Sequence, residues 1–363
     1  MPAEPPSKDT GRKHDDLGRI IVEAFEGFGL GVNVSGVIEG PQLIRIQLEP
    51  APGVKVASLA NRAADLQVRL ALGAPPLIKA GKGFVILDLP RENPTPVLLK
   101  QQLAGPLPTA LKGPASFPIG IDVEGRPVIA DFSEPNTCHA LVAGATGSGK
   151  SEWLKALLAS LALRNTPDHV RVALIDPKIL NFSGVDGSPY LWQPVATTLA
   201  QAMHILRATV AEMDDRYQLL AHHHFTSLAD YIAAGGTGVP FLALIFDEFA
   251  DLILAGHEER KEFENLVARI AAKGRAAGIH LVLATQRPDR TVVTGLIKAN
   301  LPLKVCLRVA NATNAQIVLD EPGAESLFGK GDLLCDFGKG TVRAQGFFIP
   351  QAEFITAMKA NGR

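Results

Sequence analysis

The chain has 363 residues, enough for two domains or one large one, and its 47% apolar and 20% charged residues are globular proportions. The 36 Lys and Arg against 37 Asp and Glu leave a net charge of −1. That balance excludes a polycation coating nucleic acid by bulk charge, so contact with a polyanion requires locally gathered cations. Residues 1–16, "MPAEPPSKDTGRKHDD", are polar and proline-rich with no apolar signal core, and read as a disordered tail. "GRIIVEAFEGFG" then sets Ile21, Phe25 and Phe28 at helical spacing before a glycine stop. "PQLIRIQLEP" alternates Ile44, Ile46 and Leu48 with Arg45, Gln47 and Glu49, the pattern of a half-buried strand. "VASLANRAADLQVRLAL" returns to helical period through Leu59, Ala63, Leu66 and Leu70, and "GFVILDLP" makes another strand. These elements predict a small α+β domain over residues 17–112, closed by the Pro/Gly-rich "AGPLPTALKGPASFP".

A second domain is expected over residues 113–363. Its strands, "HALVAG", "VRVALID", "FLALIFDE", "HLVLATQ" and "LKVCLRVA", are near-continuous apolar runs, as in parallel strands covered on both faces. Between them Leu199, Met203, Leu206, Val210, Met213, Tyr217 and Leu220 line one face of a long helix. Phe263, Leu266, Val267 and Ile270 line the next, and both stripes read as faces packed on the sheet. Cys138, Cys306 and Cys335 stand far apart in apolar surroundings and read as buried free thiols. No run approaches the ~18 uninterrupted apolar residues of a spanning helix. A cytoplasmic, soluble protein without membrane contact is expected.

"GATGSGKS" fits the pattern G-x-x-x-x-G-K-[ST] through Gly144, Ala145, Thr146, Gly147, Ser148, Gly149, Lys150 and Ser151. An apolar strand precedes it and an amphipathic helix follows, the context a phosphate-binding loop requires. Backbone N–H groups and the helix N-terminus cradle phosphates there; Lys150 reaches the β- and γ-phosphates of ATP, and the Ser151 hydroxyl ligates Mg²⁺. "FLALIFDEFADL" ends a strand in two carboxylates. Asp247 is read as holding Mg²⁺ through water, and Glu248 as orienting or deprotonating the attacking water. A nucleotide switch without turnover has no need of Glu248, so the pair points to hydrolysis.

"HLVLATQRP" ends in Gln286, which either touches the γ-phosphate and reports its loss or is a satisfied strand-end amide. Arg275, in "KGRAAGIH", either caps carbonyls of its own helix or enters a neighbouring subunit's site as an arginine finger. His222, His223 and His224 are consecutive, point in different directions on a helix, and make a poor metal site. Lys330 and Lys339, in glycine turns, read as exposed charges, and Trp153 and Trp192 as packing residues.

Taken together, "LVAGATGSGKS", "VRVALIDPK", "DEFADL", "GRAAGIHLVLATQRP", "TGLIKANLP" and "PGAESLFGKGDLL" resemble the motor core of the FtsK/SpoIIIE double-stranded DNA translocases. "APGVKVASLANRAADLQ" resembles the small domain that precedes that motor. The resemblance covers roughly residues 20–350. It implies an α/β fold, a RecA-like P-loop ATPase with a mainly parallel sheet preceded by a small α+β domain. It also implies a homo-hexameric ring around double-stranded DNA, with ATP between subunits and Arg275 given across the interface. Arg287 and Lys298 match the channel-loop stretches and are implied as DNA-phosphate contacts.

The departures carry equal weight. Where the family has a basic residue and then an "S-R" pair, this chain reads "RVANATNAQIVLD", with Ala312 and Gln316 in those places. Every DNA phosphate left without a cationic partner weakens binding and flattens its salt dependence. The sequence also shows neither the membrane-spanning helices nor the C-terminal winged helix of many members, so a stand-alone motor is expected. An ATP-dependent assembly or recruitment ring without processive movement, and a protein-export ATPase, are the rival expectations.

Overall fold

Helix α1 (Lys8–Glu26) lays Ile21, Ala24 and Phe25 into an apolar core with Val32, Ile46, Leu48 and Leu87. The computed structural model describes residues 8–254 and 257–360. The helix begins at Lys8, so residues 8–16 of the expected tail are helical, and the remainder of that tail lies outside the described residues. Adding residues to a helix already anchored by a buried face is favourable, unlike starting one. Strands β1 (Val32–Glu39), β2 (Leu43–Pro50), β3 (Leu77–Ala80) and β4 (Val85–Pro90) form an antiparallel sheet in the order β1-β2-β4-β3. Arg45 and Asp88 face each other across β2 and β4, where the guanidinium donates to both carboxylate oxygens at 2.7 and 2.9 Å. The helical stretch after β2 is split into α2 (Val56–Ala60) and α3 (Ala63–Arg69). Asn61 sits at the break, and its side chain competes poorly for a helix interior.

The chain divides into two compact units, Met1–Pro96 with Val123–Arg126 and Val97–Asp122 with Pro127–Arg363. Helices α4 (Leu99–Leu103) and α5 (Leu107–Ala110) belong to the larger one. Leu99, Leu107 and Leu111 share its core, so residues 97–112 pack with the second domain of the sequence reading and not with the first.

In the larger unit, β5 (Ser116–Asp122), β6 (Pro127–Asp131), β7 (Ala140–Ala143), α6 (Lys150–Arg164) and β8 (Val170–Ile175) are followed by α7 (Leu199–His222) and α8 (Leu228–Ala233). Then come β9 (Phe241–Phe246), α9 (Ala250–Ile253), α10 (His257–Lys273), β10 (Ile279–Thr285), α11 (Gly295–Asn300) and β11 (Leu303–Leu307). The chain ends with α12 (Ala312–Leu319), β12 (Asp332–Asp336), β13 (Thr341–Gln345) and α13 (Gln351–Lys359). The nine strands form one sheet in the order β6-β5-β13-β12-β11-β7-β10-β9-β8. The strands from β8 to β11 run parallel, and β12, β13, β5 and β6 extend them antiparallel.

Successive residues of a strand face opposite sides of the sheet. Ala140 and Val142 of β7 therefore join the core holding Trp153, Leu154 and Leu157 of α6, while Leu141 and Ala143 join the core holding Met203, Leu206, Phe263 and Val267 of α7 and α10. Every residue of β9 and β10 is buried, as a strand covered on both faces requires. Each buried Leu or Ile there contributes about 1.5–3 kcal/mol of apolar transfer. Cys138, Cys306 and Cys335 are buried free thiols. Trp153 is buried with its indole N–H donating to Ile119 O at 2.9 Å, and Trp192 packs against the second core. No helix among the described residues is long and apolar enough to cross a membrane.

Candidate nucleotide site

The parallel strands place their carboxyl ends together, and the order of the sheet decides which loops meet there. β7 lies between β10 and β11, so the loop 144–149 rises between the ends of those two strands. Gly144 N donates to Thr285 O at 3.2 Å on one side, and Ala145 N to Arg308 O at 2.8 Å on the other. Gly149 has a φ of 102°, and a Cβ there would lie 2.5 Å from Gly331 N, so no other residue fits. Gly331 N in turn donates to Ser148 O at 2.8 Å. Gly149 caps α6, whose first turn carries Lys150 and the half-buried Ser151. Among the described residues Ser148 Oγ is buried without a hydrogen-bond partner, as in a loop shaped for a group it does not itself supply.

Lys150 is not directed into open space. Its Nζ donates to Asp247 Oδ1 at 2.9 Å and to the Asp247 carbonyl, with both side chains almost fully buried. Asn181 Nδ2 donates to the other oxygen, Asp247 Oδ2, at 2.7 Å. Glu248 is 3% exposed and equally committed. Its Oε1 accepts from Thr285 Oγ1 at 2.6 Å and its Oε2 from Gln286 N at 2.8 Å, while Lys178 Nζ stands 3.9 Å away. Gln286 also reaches the loop, its Oε1 accepting from Thr146 Oγ1 at 3.3 Å. The structure thus brings together Gly144 to Ser151, Asp247, Glu248 and Gln286. A hydroxyl and a carboxylate beside a nest of N–H groups are the hard-oxygen set that suits Mg²⁺ beside a polyphosphate.

Arg275 lies elsewhere. It follows α10 and precedes β10, while Gln286 follows β10, so the seven-residue strand separates them by about 20 Å. Its guanidinium is exposed and has no bonded partner among the described residues, which leaves the capping role without a contact. Its neighbours are the buried His139 and His280 at the amino ends of β7 and β10. Burial holds the His139 ring down to about 4, and the Arg275 charge adds to that. Burial likewise holds His280 well below its usual value, with the His139 and Arg275 charges in support. His280 Nδ1 lies 3.1 Å from Cys138 O, and the Nε2 atoms of both rings have no partner among the described residues.

Arg287 is exposed just past β10. Lys298, on α11, is instead engaged with Asp320 at 2.7 Å, an acid 81% exposed at the end of α12. The two border a cleft of ≈ 610 Å³ that Arg290, Ala312 and Gln316 also line. Lys330 is exposed in the turn that braces the phosphate loop, and Lys339 is exposed between β12 and β13. The side chains of His222, His223 and His224 are exposed, and His223 leans on Tyr231.

Sequence reasoning missed four residues of the site: Asp176, Lys178, Asn181 and Thr285. Asp176, buried after β8, accepts from the backbone N–H groups of Lys178, Asn181 and Phe182. That turn delivers Asn181 to Asp247 and Lys178 towards Glu248. The signal was present, since "VALIDPK" ends an apolar parallel strand in an acid and a lysine, where α/β sheets place ligands.

The FtsK/SpoIIIE family profile matches residues 99–290, more than half of the chain. The chain belongs to the FtsK/SpoIIIE family. The FtsK alpha domain matches residues 2–91, in the smaller unit. Among FtsK/SpoIIIE relatives, DNA translocase FtsK of Pseudomonas putida is 36% identical over 95% of this chain and 44% of its own length. DNA translocase SftA of Bacillus subtilis is 37% identical over 91% of the chain and 35% of its own. The chain thus spans less than half of these two relatives. The pCW3 conjugation coupling protein TcpA, solved with ATPγS, superposes with a TM-score of 0.65 at 24% identity, covering 93% of this chain and 96% of that one. The cytoplasmic domain of the Thermomonospora curvata Type VII secretion ATPase EccC gives 0.62 at 28% identity, covering 70% and 32%. These neighbours share the P-loop ATPase fold of the larger unit.

Proposed function

We propose that the chain is an ATP-driven translocase acting on double-stranded DNA, working in the cytoplasm as a homo-hexameric ring that hydrolyses ATP at subunit interfaces. The observation that carries this reading is the separation of Arg275 from its own chain's phosphate loop. An arginine exposed at the opposite end of the sheet, unpaired among the described residues, is too far away to serve its own phosphate loop and is free to enter a site on another copy of the chain. A ring of such copies gives every site an arginine. The names of the relatives favour DNA as the track, and the FtsK alpha match favours it over protein export.

Each residue then has a task. The N–H groups of Gly147, Gly149 and Lys150 and the α6 N-terminus hold the phosphates, Ser148 N being bonded to Ala145 O within the loop. A triphosphate competes with Asp247 for the Lys150 ammonium, and binding moves that ammonium to the β- and γ-oxygens. Ser151 and Asp247 are the residues placed to hold Mg²⁺, which supplies neutralisation of phosphate charge when bound. Glu248 orients the attacking water and accepts its proton. Gln286 touches both Thr146 and, through its backbone, Glu248, so loss of the γ-phosphate is felt at the end of β10. Arg287 and Lys298 meet DNA phosphates, Lys298 by exchanging Asp320 for one.

ATP hydrolysis measured with and without linear duplex DNA, alongside displacement of a triplex-forming strand, tests the reading. Stimulation and displacement that disappear in Glu248→Gln support the motor. Turnover indifferent to DNA and without displacement rejects it in favour of a recruitment ring, which the missing cations at Ala312 and Gln316 would suit.

A further inference from the structure

Thr285, which ends β10, and the two residues after it make a connected set of hydrogen bonds. Arg287 N donates to Thr285 Oγ1 at 2.9 Å, and that hydroxyl donates its own proton to Glu248 Oε1 at 2.6 Å. Gln286 N takes the second oxygen, Oε2, at 2.8 Å. Thr285 is fully buried, and with no water to substitute, each of these bonds depends on the other's geometry. A hydroxyl that accepts one hydrogen bond while donating another is polarised along the line, so withdrawing the Arg287 N–H weakens the grip on Glu248. Beyond Arg287 the chain turns immediately: Asp289 N donates to Arg287 O, and the Asp289 carboxylate accepts from Thr291 and Val292 N–H groups. A force on the exposed Arg287 side chain is thereby delivered to its own backbone and to Thr285.

We propose that Thr285 is a positioning residue that couples the loop after β10 to the water-orienting Glu248, so that DNA contact at Arg287 sets the carboxylate for hydrolysis. The inference rests on the reading that Arg287 meets DNA. Thr285 is fully buried, so its hydroxyl acts through Glu248 and not on a ligand from solvent. Among the described residues its hydroxyl is the one side-chain link between Arg287 N and a Glu248 oxygen. Glu248 Oε2 remains bonded to Gln286 N when that link is cut, so the carboxylate keeps its place near the site and loses its connection to the loop.

The pair Thr285→Val and Thr285→Ser isolates this link, since Val keeps the shape without the hydroxyl and Ser keeps the hydroxyl. Two ratios are measured on each purified full chain: turnover with over turnover without linear duplex DNA, and duplex affinity in ATPγS over that in ADP. The second follows because coupling between two sites is reciprocal. In Thr285→Val both ratios fall at least 5-fold towards one while KM for ATP stays near wild type, and the melting temperature falls only by what the loss of one buried hydroxyl costs; Thr285→Ser restores all of them. Wild-type ratios in Thr285→Val overturn the relay and leave the DNA reading standing. A wild-type chain that shows neither stimulation nor nucleotide-dependent duplex affinity overturns the DNA reading and the relay with it.

Discussion

Lys150 and Asp247 are bonded to each other, Nζ to Oδ1 at 2.9 Å, inside a pocket that leaves both side chains almost no solvent. A buried ion pair is weak support for a fold, but losing one partner strands the other charge. Lys150→Met is therefore expected to lower unfolding free energy by about 3 kcal/mol as well as abolish nucleotide binding. Adding Asp247→Asn to that variant should recover much of the loss. Urea unfolding of the two single variants and the double variant checks this, and equal destabilisation of Lys150→Met with and without Asp247→Asn would reject it.

Arg275 presents the opposite case, an exposed guanidinium bonded to nothing among the described residues. Arg275→Ala should change stability by no more than ~0.5 kcal/mol. Turnover should nevertheless fall by roughly 10³-fold, the size of an arginine-finger effect. Mixing Arg275→Ala chains with Lys150→Ala chains should return activity above either alone, because some interfaces then combine an intact loop with an intact arginine. A mixture as inactive as its components, under conditions where wild-type chains mix freely, counts against the trans assignment.

The histidines beside Arg275 give the fold an acid limit. His139 titrates near 4 in the folded chain against 6.5 when exposed, and His280 is displaced in the same direction. Between those values the unfolded chain binds protons that the folded chain refuses, so stability is fully present above pH 6.5 and is lost as pH falls towards 4. The His139 contribution alone amounts to about 3 kcal/mol. Denaturant unfolding at pH 7 and pH 5 should show the drop, and His280→Phe should reduce it. An unchanged pH slope in that variant would remove His280 from the account.

The cleft at Lys298 predicts the salt dependence of DNA binding. Ala312→Lys with Gln316→Arg places two cations beside Arg290 and Lys298. Two added phosphate contacts per DNA-engaged subunit steepen the slope of log affinity against log salt by roughly 1.8 for each engaged subunit. Asp320→Asn should strengthen duplex binding at low salt by releasing Lys298. Fluorescence anisotropy of a labelled duplex at several salt concentrations reads both effects, and an unchanged slope in the double variant would move the DNA track away from this cleft.

The apolar parallel strands, the helix faces of α7 and α10, and the loop 144–151 were all legible in the sequence, because each is dictated locally. Continuous Val, Ile and Leu runs demand burial on both faces, and a glycine loop before a lysine demands a ligand. What could not be read depends on residues distant in the chain. Nothing in "GLIKAN" shows that Lys298 will find Asp320, and nothing in "LATQR" shows that Thr285 will hold Glu248. The antiparallel strands β6, β12 and β13 have five residues each, and β5 shifts register between Pro118 and Gly120, so their periodicity is faint until the sheet assembles. The regular spacing of Leu59, Ala63, Leu66 and Leu70 masks the break at Asn61.

The bond from Gly331 N to Ser148 O sets a limit on when the chain becomes competent. During synthesis the phosphate loop emerges long before the turn at 329–331, whose three successive residues adopt left-handed backbone conformations. That turn is fixed in place by β12 and β13, so the loop gains its brace only once the last hairpin of the sheet has formed. Tight nucleotide binding is therefore expected of the finished sheet alone. A truncated or half-folded chain bearing the full phosphate motif would sequester little ATP.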